Sequence, residues 1–126
     1  MNDGAEVLDP WSRHLGIRIR EESDDGVVAE MPLAGEHMNF LDGAHGGALF
    51  SLAEAALRAA AGAGSGIPVV LDAHLALTAG GAEGDTFTAT TRPLSVGRTL
   101  GVWRVTVERS DGRTVGEFTG TVRFER

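Results

Sequence analysis

From Thr114 to Phe124 the chain alternates without a break: Phe118, Gly120, Val122 and Phe124 on one side, Glu117, Thr119, Thr121 and Arg123 on the other. A period of two marks a half-buried β-strand. Val69–Thr78, Asp85–Arg92 and Thr99–Glu108 read as three more strands, with turn signals at Ala82-Glu83-Gly84-Asp85 and Ser110-Asp111-Gly112. Nearer the N-terminus, Ile17 and Ile19 alternate with Arg18 and Arg20. Gly16–Glu21 and Gly26–Leu33 therefore read as two strands joined by the hairpin-type turn Glu22-Ser23-Asp24-Asp25. One segment departs from this period. Ala48–Ala63 reads ALFSLAEAALRAAAGA, and its only polar side chains are Ser51, Glu54 and Arg58. A helix apolar almost all round is expected to be buried. Two strands, one long apolar helix and four strands predict an α+β domain, an antiparallel sheet wrapped on a central helix.

The remaining segments add punctuation. Residues 1–8 are expected to fray, and Asp9-Pro10 reads as the N-cap and first position of a short helical turn through His14. Gly62-Ala63-Gly64-Ser65-Gly66 ends the long helix. This stretch fits neither the dinucleotide fingerprint nor a phosphate loop, and Ser65 lacks the flanking glycines of a nucleophile elbow. No repeat or linker divides the chain, so residues 1–126 read as one domain.

Hydrophobic residues at 42% and charged residues at 23% fit a globular chain. The formal charge of −7 argues against a nucleic-acid or anionic-membrane partner. With no cysteine there is no disulfide, thiolate metal site or cysteine nucleophile. A cytoplasmic location is expected, since the first residues carry no basic and apolar leader. The Ala-rich helix is too short and too interrupted for a membrane span.

Candidate chemistry concentrates around that helix. A carboxylate on an apolar helix must pair, hydrogen-bond, shift its pKa or face a site. For Glu54 the residues alone leave two readings, an i,i+4 ion pair with Arg58 or a reacting carboxylate. Gly46-Gly47 brings bare N–H groups to the helix start, where the dipole favours developing negative charge. Tight packing would also explain those glycines. Asn39 reads as an Asx-turn residue or as a site amide. His37, Asp42 and His45 lack metal-ligand spacing, so no metal is expected. His45 reads as fixing loop geometry or as a secondary polar group, and His14 as a solvent or packing residue. His74, within an apolar strand, reads as a core or interface histidine.

The loop His37-x-Asn39-x-x-x-Gly43-x-His45-Gly46-Gly47 leading into Leu52-Ala53-Glu54-x-Ala56 resembles the hotdog-fold acyl-CoA thioesterases. The likeness is to the phenylacetate-pathway (PaaI-type) branch, which includes glutamate-using 4-hydroxybenzoyl-CoA thioesterases, and it runs from about His14 to Phe124. It implies a hotdog fold, a six-stranded antiparallel sheet around the long helix, with two subunits joined edge to edge. A homodimer or homotetramer (a dimer of dimers) follows, with an acyl-CoA substrate and no cofactor.

Carried over by position, the resemblance makes Glu54 the catalytic acid, acting as nucleophile or general base. Gly46 N–H becomes the donor to the thioester carbonyl, and Asn39 the amide beside that carbonyl or the attacking water. His45, Gly47 and Phe50 border the substrate. The family often has a Ser or Thr early in the third strand; Val69 or Val70 stands there, and Asp72 and His74 are expected to share the face of Val70 and to substitute. Thr78-Ala79-Gly80-Gly81 replaces a Leu-Arg-Pro-like segment, while Gly97-Arg98-Thr99 fits the family's Gly-basic pair. Arg98, and after it Arg92, are the candidate contacts to CoA phosphate. The pocket beside Glu54 is expected to be lined by Phe40, Phe50 and Leu57, which suits a small hydrophobic or aromatic acyl group. The alternative is a non-catalytic acyl-CoA-binding or sensor protein of the same fold.

Overall fold

The computed structural model describes residues 8–63 and 66–125. Residues 1–7, and Gly64 and Ser65 of the expected helix break, lie outside these. Leu8, expected to fray, is instead buried in the core. The described elements are α1 (Pro10–His14), β1 (Arg18–Ser23), β2 (Gly26–Pro32), a short 3-10 turn at Gly35–His37, α2 (Gly46–Gly62), β3 (Ile67–Leu77), β4 (Thr86–Val96), β5 (Leu100–Glu108) and β6 (Thr114–Glu125). Asp9 caps α1 as its sequence predicts, its Oδ1 accepting from Ser12 N–H at 2.8 Å.

All six strands form one antiparallel sheet in the order β1-β2-β4-β5-β6-β3. The sheet wraps α2, which contacts β2, β3, β4, β5 and β6. The helix sits this close because β6 presents glycines to it. A Cβ on Gly116 would lie 2.8 Å from Leu49 Cδ2, and one on Gly120 2.6 Å from Leu57 Cδ2. Four strand residues and eight helical residues both span about 12–13 Å, so each glycine receives one leucine. Leu52, Ala53, Ala56 and Leu57 are fully enclosed with Met31, Phe87, Val105 and Phe118.

Two strand details differ from the expected period. β4 runs four residues beyond Arg92, to Val96, with an irregularity between Pro93 and Ser95. In β3 the register slips between Val70 and Asp72. Val70 pairs with inward Val122, whereas Asp72 pairs with outward Thr121 and His74 with Thr119. An extra residue in a strand reverses the facing of everything beyond it. No helix among the described residues is long and apolar enough to cross a membrane.

Candidate functional site

The loop between β2 and α2 is shaped by its own polar groups. Asn39 Oδ1 accepts from Leu41 N–H at 2.8 Å and Gly43 N–H at 3.1 Å, while Asn39 N–H donates to Gly43 O at 2.7 Å. Asp42 takes a left-handed φ of 61° to close the turn. Ala44 N–H then donates to Gly81 O at 2.9 Å, fastening the loop to the sheet. Gly81 has no room for a side chain, since a Cβ would lie 2.5 Å from Phe87 Cζ. The Asx-turn reading of Asn39 is therefore realised. Its Oδ1 is spent on the loop, and Nδ2 makes no hydrogen bond with a described residue.

His37 is 4% exposed and serves this architecture. Its Nδ1 accepts from Ala34 N–H at 2.8 Å, and Nε2 lies 2.7 Å from Leu15 O. That pair of contacts places the ring proton on Nε2. His37 O accepts from His45 N–H at 2.8 Å, which delivers His45 to the N-cap of α2. His45 Nδ1 accepts from Gly47 N–H at 2.8 Å. Loop-fixing, one of the two readings of His45, is thus what its side chain does. His14 stacks on Trp11 with ring centroids 5.9 Å apart.

One donor at the helix start stays open. Gly47 N–H is taken by His45, and Ala48 and Leu49 N–H both reach His45 O. Gly46 N–H, at the first helical position, donates to no acceptor among the described residues. It adds to the positive end of the helix dipole, an arrangement suited to an oxyanion.

Eight residues later, Glu54 lies on the side of α2 that the sheet leaves uncovered, with its side chain 29% exposed. The ion pair with Arg58 exists, Nη2 to Oε2 at 3.5 Å. Glu54 is thus half-open and ion-paired, not sealed in an apolar interior as an all-round buried helix suggested. Eight residues of helix rise about 12 Å. Gly46 N–H and Glu54 of one chain therefore cannot meet one carbonyl group.

Three other expectations are corrected. Asp72 and His74 do not share the face of Val70, because the bulge at Leu71 turns both outward, away from α2. Neither can stand in for a hydroxyl beside Glu54, and the core reading of His74 falls with this. Leu57 does not line a pocket; it is fully buried against Gly120. Phe40 is 94% exposed at the loop tip with Leu41 beside it at 75%, while Phe50 is half-buried edge-on to Phe118.

The arginines lie far from the helix start. Arg98 sits in the exposed turn between β4 and β5. Leu77, which touches Gly46, pairs with Gly116, whereas Leu100 pairs with Arg123. Seven residues of β6 put these ends about 23 Å apart. Arg92 pairs across strands with Arg104 on the outer face of the sheet. Sequence reasoning missed the contact of Arg58 with Asp9, 3.8 Å from Nη1 to Oδ2, since nothing in the chain brings α1 to that side of α2.

Residues 42–116 match the thioesterase superfamily. The acyl-coenzyme A thioesterase PaaI of Escherichia coli K12 is 30% identical over 112 residues, covering 89% of this chain and 80% of that protein. The structure of the Escherichia coli PaaI protein from the phenylacetic acid degradation operon superposes with a TM-score of 0.91 at 27% identity, covering 96% of this chain and 88% of that one. A hypothetical thioesterase from Streptococcus pneumoniae, solved with coenzyme A, superposes with a TM-score of 0.81 at 25% identity, covering 86% and 84%.

Proposed function

Because the chain belongs to the thioesterase superfamily and is a thioester hydrolase of the PaaI-type hotdog fold, we propose that it cleaves a small hydrophobic or aromatic acyl-CoA to the free acid and CoA. The coenzyme A in the Streptococcus pneumoniae neighbour and the activity named for the Escherichia coli relative support the CoA half of this reading. The exposed apolar pair Phe40 and Leu41, at the tip of the loop that leads to Gly46, supports the acyl half.

The observation that carries the mechanism is the separation of two unfinished groups on one helix. Gly46 N–H has no acceptor, Glu54 faces the uncovered side, and about 12 Å of helix lies between them. Two copies with antiparallel α2 helices bring Gly46 of one beside Glu54 of the other. The active unit is therefore a homodimer with two shared sites, or a tetramer built from it. The long unpaired edge of β3 offers a surface on which two copies can join.

In such a site the thioester oxygen takes the Gly46 N–H, and negative charge gathers on it as the carbonyl carbon is attacked. Glu54 either removes the proton from an attacking water or attacks directly, giving a mixed anhydride that water then opens. In the first course Glu54 returns the water's proton to the CoA sulfur as the C–S bond breaks. In the second CoA leaves as the thiolate and takes its proton from water, and hydrolysis of the anhydride frees the acid and restores Glu54. Valines hold the positions where the family often has a hydroxyl, and Val70 packs towards the core. The unspent Nδ2 of Asn39 is the polar group left to orient the water or the carbonyl. Arg98 reaches CoA phosphate only from the copy that does not supply Gly46.

The test is Glu54→Gln, which keeps the shape and removes both nucleophile and base. CoA release from phenylacetyl-CoA and benzoyl-CoA, followed by thiol trapping, should fall by ~10²–10⁴-fold. A folded Glu54→Gln protein with wild-type kcat would refute the mechanism.

A further inference from the structure

The face of α2 that carries Glu54 is also crossed by α1, and two polar tethers join these helices. At one end Trp11 Nε1–H donates to Ser51 Oγ at 3.0 Å, and Ser51 Oγ–H donates to Gly47 O at 2.9 Å. At the other end the two terminal nitrogens of Arg58 each face a different carboxylate. Nη1 lies 3.8 Å from Asp9 Oδ2, and Nη2 lies 3.5 Å from Glu54 Oε2. Asp9 divides its oxygens between two tasks, with Oδ1 capping α1 through Ser12 N–H and Oδ2 turned to the guanidinium. The Ser12 hydrogen bonds first, and the Arg58 charge after them, hold the Asp9 carboxyl below the ordinary carboxylate range.

A lone i,i+4 pair on a helix surface leaves both side chains free to swing and contributes little. Arg58 differs because a second carboxylate, the N-cap of α1, lies 3.8 Å from the other side of its fork. Among the described residues it is also the only cation within 4.0 Å of the Glu54 carboxylate. Resting on the reading of Glu54 as the reacting carboxylate, we propose that Arg58, anchored by Asp9, is a positioning residue that holds Glu54 in the rotamer facing the thioester carbonyl. The planar guanidinium suits this task because it presents two nitrogens in fixed relation. A lysine offers one point charge and cannot face both carboxylates in the same way. Displacing a reacting group by about 1 Å costs up to ~10²-fold in rate, so a loosened carboxylate is expected to show in kcat.

Four proteins test this by steady-state CoA release: Arg58→Ala, Asp9→Asn, Glu54→Gln and the double variant Glu54→Gln/Arg58→Ala. Asn caps helices as well as Asp does, so Asp9→Asn removes the anchoring charge and leaves α1 formed. Arg58→Ala should lower kcat about tenfold with KM unchanged, and Asp9→Asn should lower it less, in the same sense. In the Glu54→Gln background Arg58→Ala should change the residual kcat hardly at all, because a residue acting only through Glu54 has nothing left to position. An Arg58→Ala protein with wild-type kcat overturns the proposal, as does the same fold-loss in both backgrounds. A raised KM with kcat intact also overturns it and makes Arg58 a contact to the substrate instead. Wild-type kcat in Glu54→Gln alone would instead sink the catalytic reading on which the proposal rests.

Discussion

Replacing Gly46 by proline isolates the one backbone donor on which the proposed carbonyl polarisation depends. Proline is at home at the first position of a helix, where its missing N–H breaks no intrahelical bond. The residue before a proline must be extended, and His45 already has φ −70° and ψ 131°. Gly46 N–H serves no described acceptor, so the fold loses no hydrogen bond when it goes. The Cβ that proline and alanine share meets Leu77, whose Cδ1 lies 3.1 Å away and is the free end of a flexible side chain. Stiffening the unfolded chain offsets that by about 0.4–1 kcal/mol. Stability should therefore change little, whereas loss of an oxyanion donor costs about 2.7–4 kcal/mol of transition-state binding, or ~10²–10³ in kcat. Gly46→Ala is the matched control, with the same Cβ and its N–H retained. Both proteins would be followed by thiol-trapped CoA release alongside thermal melting. If Gly46→Pro, still folded, kept kcat within roughly threefold of Gly46→Ala, the donor would carry no part of the assigned charge stabilisation.

Three further outcomes are expected. Leu57→Ala empties the space against Gly120 in the closed core and should cost about 3–5 kcal/mol in denaturant unfolding; a loss below about 1 kcal/mol would contradict that packing. Asp111 is held down to about 2 from 3.8 by the Arg109 guanidinium and then by Arg113 N–H. The depressed carboxyl stabilises the β5–β6 turn above its ordinary value, and this is lost as pH falls through about 2. The carboxyl carbon of Asp111 should titrate there by NMR and return towards 3.8 in Arg109→Gln. Asp72→Asn and His74→Gln, on the outward face, should leave kcat within roughly twofold; a large loss from either would return it to the site.

The six strands, the two helices and their order were legible because alternation in β6 and the unbroken apolar surface of α2 are local signals, whereas the 3-10 turn at Gly35–His37 was not. The glycine loop, the helix start and Glu54 were legible as a motif on contiguous chain. Asp72 and His74 were misplaced for a local reason too. A period-2 count carries no mark of an inserted residue, and Leu71 looks like any other strand residue. Leu57 was misjudged because its neighbour Gly120 is distant in sequence, and a glycine on a strand face does not reveal which side chain fills it. The reach of Arg58 to Asp9 depends on where α1 docks, a tertiary fact outside any window of sequence.

The loop from Asn39 to Ala44 also bears on how such a protein can diverge. Its shape is set by the Asn39 amide, by backbone bonds within the turn and by one bond to Gly81 O. Phe40 and Leu41 take part in this only through their main chain, and their side chains stand clear of the body of the chain. Their identities can therefore drift without unfolding the loop or disturbing the first turn of α2. On the proposed reading, in which this dipeptide meets the acyl group, exchanging it changes which acyl groups fit while Gly46 and Glu54 stay as they are. Only the four residues Asp42 to His45 separate that freely placed dipeptide from the open N–H of Gly46.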